Sequence, residues 1–160
     1  RVDRLDRLEA GGLVVIDYKT GSPSVGGWLG ERPDDPQLPL YALAAGDEVK
    51  AVAFACLRKG ERGFIGLARE EGLLQGVGTV DKHRSAGKLH ASWGELTAAW
   101  REATARLAAE FAAGHAPVDP KKRYASCTWC ELGALCRIRE KAVAEDGDDD
   151  DPASANGGEP

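Results

Sequence analysis

The chain has 160 residues, of which 42% are hydrophobic and 29% charged, and a formal net charge of -5. That length fits one domain with at most an appendage, and the composition is that of an ordinary globular chain. No stretch approaches the roughly 18 apolar residues of a membrane span, and no signal-peptide pattern is visible, so a cytoplasmic location is expected.

The charge is unevenly spread. Residues 144–160, AEDGDDDDPASANGGEP, hold seven of the 26 acidic residues and no basic ones, leaving 19 acidic against 21 basic residues in the rest of the chain. This segment is poor in apolar residues and rich in Asp, Gly and Pro, so it is expected to be a disordered acidic tail. Residues 1–143 are then the folded domain. Their near-neutral balance neither demands nor forbids a nucleic-acid partner.

The chain opens on Arg1, inside what reads as a strand, which leads us to expect an N-terminal portion before it. Val2, Leu5 and Leu8 alternate imperfectly with charge. Ala10-Gly11-Gly12 supplies a turn, and Leu13–Ile16 is the returning strand. Asp17 and Lys19 follow two residues apart, a spacing that places side chains on one face of a strand. Residues 20–36 are a loop rich in Gly, Pro and Ser, with Trp28 as its large apolar residue. A short helix is predicted over 36–46, with Asp35 as its cap, Pro36 and Pro39 in its first turn, and Gly46 at its end.

Residues 49–58, VKAVAFACLR, read as a buried strand. Gly60–Gly63 is a turn and Phe64–Ala68 the partner strand. Residues 70–91 are irregular. A long helix is predicted over 93–113: Ser92 and Glu95 form a capping box, and Leu96, Ala99, Trp100, Ala103, Leu107 and Phe111 make one apolar stripe. Gly114 and Pro117 stop it. The order β-β-α-β-β-α points to a mixed α/β layer fold.

The chemistry concentrates in a few places. In the predicted hairpin Asp3 and Asp17 approach each other across the ladder. Two close carboxylates repel unless something joins them, and a divalent cation such as Mg²⁺ does so through oxygen ligands. Lys19 beside such a cation could stabilise charge developing on a phosphate, which suits phosphodiester hydrolysis. The bland alternative is a surface ion pair of Asp17 and Lys19. Gln37 and Tyr41 lie one helical turn apart on one face. They could support that site or touch a nucleic-acid backbone, or serve only the packing.

Cys127, Cys130 and Cys136 form Cys-x2-Cys-x5-Cys, which reads as metal binding in a cytosolic chain. Zinc, an iron–sulfur cluster and simple reduced thiols all remain open on the spacing. Cys56, in an apolar strand, reads as a core thiol. His83, His90 and His115 read as surface residues. Lys82, Arg84, Lys88 and the run Lys121-Lys122-Arg123 could touch phosphates or simply be solvated. No phosphate-binding GxxxxGK[ST] or GxGxxG loop is present.

Taken together, RVDRLD, VVIDYKTG and DPQLPLY resemble the PD-(D/E)xK nuclease superfamily, in its RecB-like branch. The resemblance implies a restriction-endonuclease-like mixed sheet flanked by helices, here without its first core helix. It implies Asp3 and Asp17 as metal ligands, the Tyr18 backbone carbonyl as a further ligand to Mg²⁺ or Mn²⁺, and Lys19 as the catalytic lysine. Gln37 and Tyr41 would be the helix motif that supports the site and the DNA, while Asp6 takes no role. YASCTWCELGALCR resembles the C-terminal cysteine triplet of AddB-type repair nucleases, which implies a [4Fe-4S] cluster on Cys127, Cys130 and Cys136 with its first cysteine upstream of Arg1. The expected activity is a metal-dependent, exonuclease-like deoxyribonuclease in DNA repair and recombination, partnered by DNA and by a helicase domain or subunit. Its competitors are a non-catalytic DNA-binding scaffold and a CRISPR-adaptation nuclease of the same superfamily.

Overall fold

The computed structural model describes residues 2–58, 60–122, 126–128 and 130–138. The acidic tail predicted over 144–160 and Arg123 of the basic run lie outside them. The described residues fall into two units that divide between His115 and Ala116.

The first unit is built on a five-stranded sheet in the order β1-β2-β3-β4-β5. The strands are β1 Arg4–Arg7, β2 Leu13–Lys19, β3 Val49–Arg58, β4 Glu61–Ala68 and β5 Gly78–Thr79. β1 and β2 form an antiparallel hairpin. Its turn uses Gly11 and Gly12, at φ 82° and 101°, a region that only glycine enters without steric cost. β2 and β3 run parallel, so the chain must cross over between them. The crossover carries helix α1, Gln37–Ala45, which packs on both strands. β3 and β4 are again antiparallel and β5 pairs parallel to β4. The sheet is therefore mixed, with flanking helices, as the sequence predicts.

Strand alternation sorts the core into two faces. Leu13, Val15, Val52, Phe54 and Leu67 face the helices. There they meet Leu38 and Ala42 of α1, Trp28 of a 3₁₀ turn at Val25–Trp28, and Leu96 and Trp100 of α2, Trp93–Ala112. On the other face Val14, Ile16, Ala51, Ala53, Ala55 and Ala68 are covered by Val77, with Leu73 and Leu74 packed against them. β4 approaches β3 closely at Gly66, where an added Cβ would lie 2.1 Å from the Val52 carbonyl oxygen.

Several expectations are corrected. The returning strand continues past Ile16 to Lys19, because β3 keeps pairing with it as far as Lys19↔Cys56. β1 begins at Arg4, one residue after Asp3. Asp35 does not cap α1: Pro36 occupies that position and no side chain bonds the free N–H groups. β4 starts at Glu61, since cross-strand pairing extends to Arg58↔Glu61. The irregular stretch contains β5 and a 3₁₀ turn at Ala86–Lys88. Trp28, expected in a loop, is fully buried, and its ring meets Phe54 at 4.8 Å and Trp100 at 6.5 Å.

Ser92 caps α2 as expected, and Glu95 reaches back past it to the preceding residue. Ser92 Oγ accepts from Glu95 N–H at 3.2 Å, and Glu95 reaches back to the N–H of Ala91 at 2.7 Å. The buried part of the helix stripe stops at Ala103, and Phe111 is 86% exposed. Among the described residues the helical period therefore runs on past the part of α2 that is buried.

In the second unit the described residues include a short helix α3, Gly133–Cys136, which ends at Arg137 in the left-handed conformation. Among the described residues no helix is long and apolar enough to cross a membrane.

Candidate active site

Asp17 lies on the helix-facing side of β2, in the same row as Leu13 and Val15, and is only 3% exposed. Burying a carboxylate costs several kcal/mol unless it is paired. Two partners meet that cost. Lys19 Nζ stands 2.8 Å from Asp17 Oδ2, and Gln37 Nε2 donates to Asp17 Oδ1 at 3.0 Å. Gln37 is the first residue of α1, so the crossover helix delivers its amide over the strand end. The same nitrogen lies 3.5 Å from the Tyr41 hydroxyl one turn on. The predicted shared face of Gln37 and Tyr41 is thus real, and it points at Asp17.

Lys19 is held from several sides. Its ammonium sits 5.5 Å from the centroid of the Phe54 ring, within cation–π range. Its hydrogen bond with Asp17 holds the ammonium above the usual lysine range; burial opposes this, and the charges of Asp17, Asp35 and Asp3 reinforce it. Lys19 is therefore a cation at neutral pH and not a proton acceptor.

Asp3 is exposed. The register Arg4↔Ile16 sets Asp3, one step further, beside Asp17 on the neighbouring strand. Its Oδ2 accepts the Tyr18 N–H at 3.2 Å. That N–H points to the β1 side of β2, beyond the last paired residue of β1. In a strand the N–H and C=O of one residue point to the same edge, so the Tyr18 carbonyl opens to the side where Asp3 lies.

The donor set suits a hard divalent cation. Mg²⁺ is commonly held by one or two carboxylates and completes its shell with water and phosphate oxygens. Asp17 Oδ2 is buried and meets the Lys19 ammonium at 2.8 Å. This oxygen retains capacity for another cationic partner. Among the described residues no three His, Cys, Asp or Glu side chains converge as a ligand group.

Two site residues escaped the sequence reading. Asp35, taken for a helix cap, instead places its charge within reach of Lys19. The Asp35 N–H donates to the Gly27 carbonyl at 2.9 Å, which ties this part of the loop in place. Phe54 read only as core. The signal for it was its register opposite Asp17, which a sequence does not print.

Other candidates sit elsewhere. Cys56, expected in the core, is half-buried and lines a groove beyond Lys19. His83, expected on the surface, is half-buried and its Nδ1 accepts the N–H groups of Ser85 and Ala86 at 3.3 and 3.2 Å, closing the 3₁₀ turn. Cys127, Cys130 and Cys136 are all free thiols. Cys130 N–H turns back to the Cys127 carbonyl at 3.3 Å, and Cys136 Sγ lies 3.8 Å from the Gly133 carbonyl.

Searches of curated proteins and of solved structures returned no match. A family model, the PD-(D/E)XK nuclease superfamily, matches residues 1–137. With the mixed sheet and the Asp17–Lys19 pair at the end of its second strand, the chain belongs to the PD-(D/E)XK nuclease superfamily.

Proposed function

We propose that this protein is a metal-dependent deoxyribonuclease that hydrolyses phosphodiester bonds. The observation that carries the reading is a buried carboxylate, Asp17, at a strand end, flanked by the Lys19 ammonium and the Gln37 amide. A structural ion pair has no use for an amide delivered from a second element onto the same carboxylate.

Asp3, Asp17 and the Tyr18 carbonyl would hold Mg²⁺ or Mn²⁺. When bound, the cation supplies charge neutralisation at the phosphate and lowers the pKa of water. Gln37 fixes the rotamer of Asp17 through Oδ1, so that Oδ2 keeps its aim. Lys19, a permanent cation, orients an attacking water or stabilises the charge that builds on the phosphoryl oxygens. Tyr41 steadies the Gln37 amide.

With Mn²⁺ the protein should degrade linear DNA, and Asp17→Ala or Lys19→Ala should abolish this. Cleavage by both variants at the wild-type rate overturns the assignment.

The finer reading is a RecB-like enzyme of AddB type, acting in DNA repair and recombination with a helicase partner. The support is the order Asp3, Asp17, Lys19, Gln37, Tyr41, followed by the triplet Cys127, Cys130, Cys136. Three unbridged cysteines suit a [4Fe-4S] cluster whose fourth ligand comes from another segment. Anaerobically purified full-length protein should then show iron–sulfur charge-transfer absorbance. Stoichiometric zinc without that absorbance removes the cluster.

A further inference from the structure

Gln37 and Lys19 divide the Asp17 carboxylate between them. Gln37 Nε2 takes Oδ1 at 3.0 Å, and Lys19 Nζ takes Oδ2 at 2.8 Å. The oxygen left for a divalent cation is therefore the one that the ammonium already holds. Two positive charges on one oxygen repel each other. An ammonium with no second partner would compete with the cation it serves.

Asp35 is placed to be that partner. It stands on the loop between β2 and α1, two residues before Gln37, and two residues span at most about 7 Å of chain. Its N–H donates to the Gly27 carbonyl at 2.9 Å. Gly27 belongs to the 3₁₀ turn Val25–Trp28, the Trp28 ring meets Phe54 at 4.8 Å, and the Phe54 ring centroid lies 5.5 Å from Lys19 Nζ. Asp35 is thus tied through Gln37 to one member of the ion pair and through the turn to the layer that holds the other. Pro36 follows it and restricts its backbone.

Asp35 is half-buried. Among the described residues its carboxylate takes no hydrogen bond and no ion pair, so its acceptor capacity is unused. Lys19 feels its charge. The ammonium is held above the usual lysine range first by its hydrogen bond with Asp17, against burial; among the charges that add to this, Asp35 follows Asp17 and precedes Asp3. These three carboxylates outweigh the one ammonium by two negative charges, the amount that one divalent cation cancels.

We infer that Asp35 is a positioning residue of the nuclease site: it receives the Lys19 ammonium when Asp17 Oδ2 turns to the divalent cation, and so keeps Lys19 beside the reacting phosphate. The inference rests on the nuclease reading and adds to it an exchange of partners within the site. The Phe54 ring eases the exchange, because a π face attracts the ammonium without fixing its direction.

The test reads the metal and the ammonium apart from cleavage, on the full chain. Mn²⁺ affinity without DNA is measured from the paramagnetic resonance of the free ion. Asp35→Asn should weaken it about tenfold, the scale on which groups beyond the direct ligands act. Asp35→Glu should restore most of it. Asp34→Asn removes the same charge from an exposed neighbour and should leave the affinity unchanged. NMR of the lysine ammonium groups gives a second readout, with Lys19 assigned by its loss in Lys19→Met. In the wild type the Lys19 signal should shift on addition of Mg²⁺ and stay protected from solvent. In Asp35→Asn, Mg²⁺ should bring it into fast exchange with water. At saturating Mn²⁺ the kcat of Asp35→Asn should fall about tenfold, with KM for DNA unchanged.

Wild-type Mn²⁺ affinity and a protected Lys19 signal in Asp35→Asn overturn the inference. So does equal weakening in Asp34→Asn, which reduces the effect to bulk charge. DNA cleavage by the wild type alongside either result leaves the nuclease reading intact. The expected metal and Lys19 responses without cleavage do the reverse. A wild type that binds no divalent cation removes both.

Discussion

The amide of Gln37 donates to Oδ1 of Asp17 at 3.0 Å, and through this bond the first residue of the crossover helix orients a carboxylate on the second strand. Twenty residues separate them in the chain. Helix position and site geometry are thereby coupled.

Removing that donor should be felt twice. Gln37→Ala strips a hydrogen bond from a buried carboxylate, a loss of about 1–3 kcal/mol, measurable by urea denaturation. It should also lower Mn²⁺-dependent cleavage, because Asp17 loses its fixed rotamer. Gln37→Glu should be worse on both counts, since it sets a second carboxylate against the first.

The ion pair predicts a pH window. In metal-free protein Lys19 has a folded-state pKa raised by its hydrogen bond with Asp17. A raised pKa means that the folded state holds the proton more tightly, so the stabilisation is fully present below the ordinary lysine value of about 10.4 and is lost as pH rises through the higher folded value. Stability measured in EDTA should therefore carry no Lys19 contribution to its slope between pH 6 and 9 (roughly the range clear of the carboxylate and lysine titrations). Lys19→Met should remove the alkaline loss and lower stability at neutral pH by leaving Asp17 without its countercharge.

The aromatic cluster under the site offers a structural control. Trp28 is fully buried, and its carbonyl accepts the Trp100 indole N–H at 2.9 Å. Trp28→Ala should cost about 3–5 kcal/mol and broaden the unfolding transition. Trp100→Phe keeps most of the volume and loses the bond, so a cost of about 1 kcal/mol is expected. Cleavage in Trp100→Phe, measured well below its melting temperature, should remain near wild type because the ring contacts and hydrogen bond of Trp100 run to Trp28 and Trp93.

Gly66→Ala tests the close approach of β3 and β4. The added Cβ would lie 2.1 Å from a backbone oxygen and 2.7 Å from Ala53 Cα. Neither atom can move without opening the ladder, so a fall in melting temperature is expected by differential scanning calorimetry.

Much of this was legible in the residues. The run Val14-Val15-Ile16 announced a buried strand, VKAVAFACLR gave the limits of β3, and Ser92 with Glu95 marked the start of α2. Asp17 with Lys19, and Gln37 with Tyr41, were each visible as a pair because their spacings are local, and the family resemblance joined the two pairs. What stayed hidden depends on contacts distant in sequence. Trp28 looked like a loop residue, since only the folded chain brings Phe54 and Trp100 to its ring. Phe111 fitted the helical period, yet it is exposed among the described residues. Asp35 carried the signature of a cap, and the path of the loop turned its charge toward Lys19 instead. Periodicity reports which side of an element is greasy. It does not report where the neighbouring layer ends.

The two outermost strands of the sheet are its shortest among the described elements, four residues in β1 and two in β5. β5 covers β4 only at Leu67 and Ala68, so among the described residues the stretch Glu61–Gly66 of β4 forms the border on that side and offers N–H and C=O groups to a neighbouring strand. The long hydrophobic segments, β2 and β3, are shielded at the centre. Concentrated samples should accordingly associate first through this border, and a proline placed in Glu61–Gly66 should suppress seeded fibre growth.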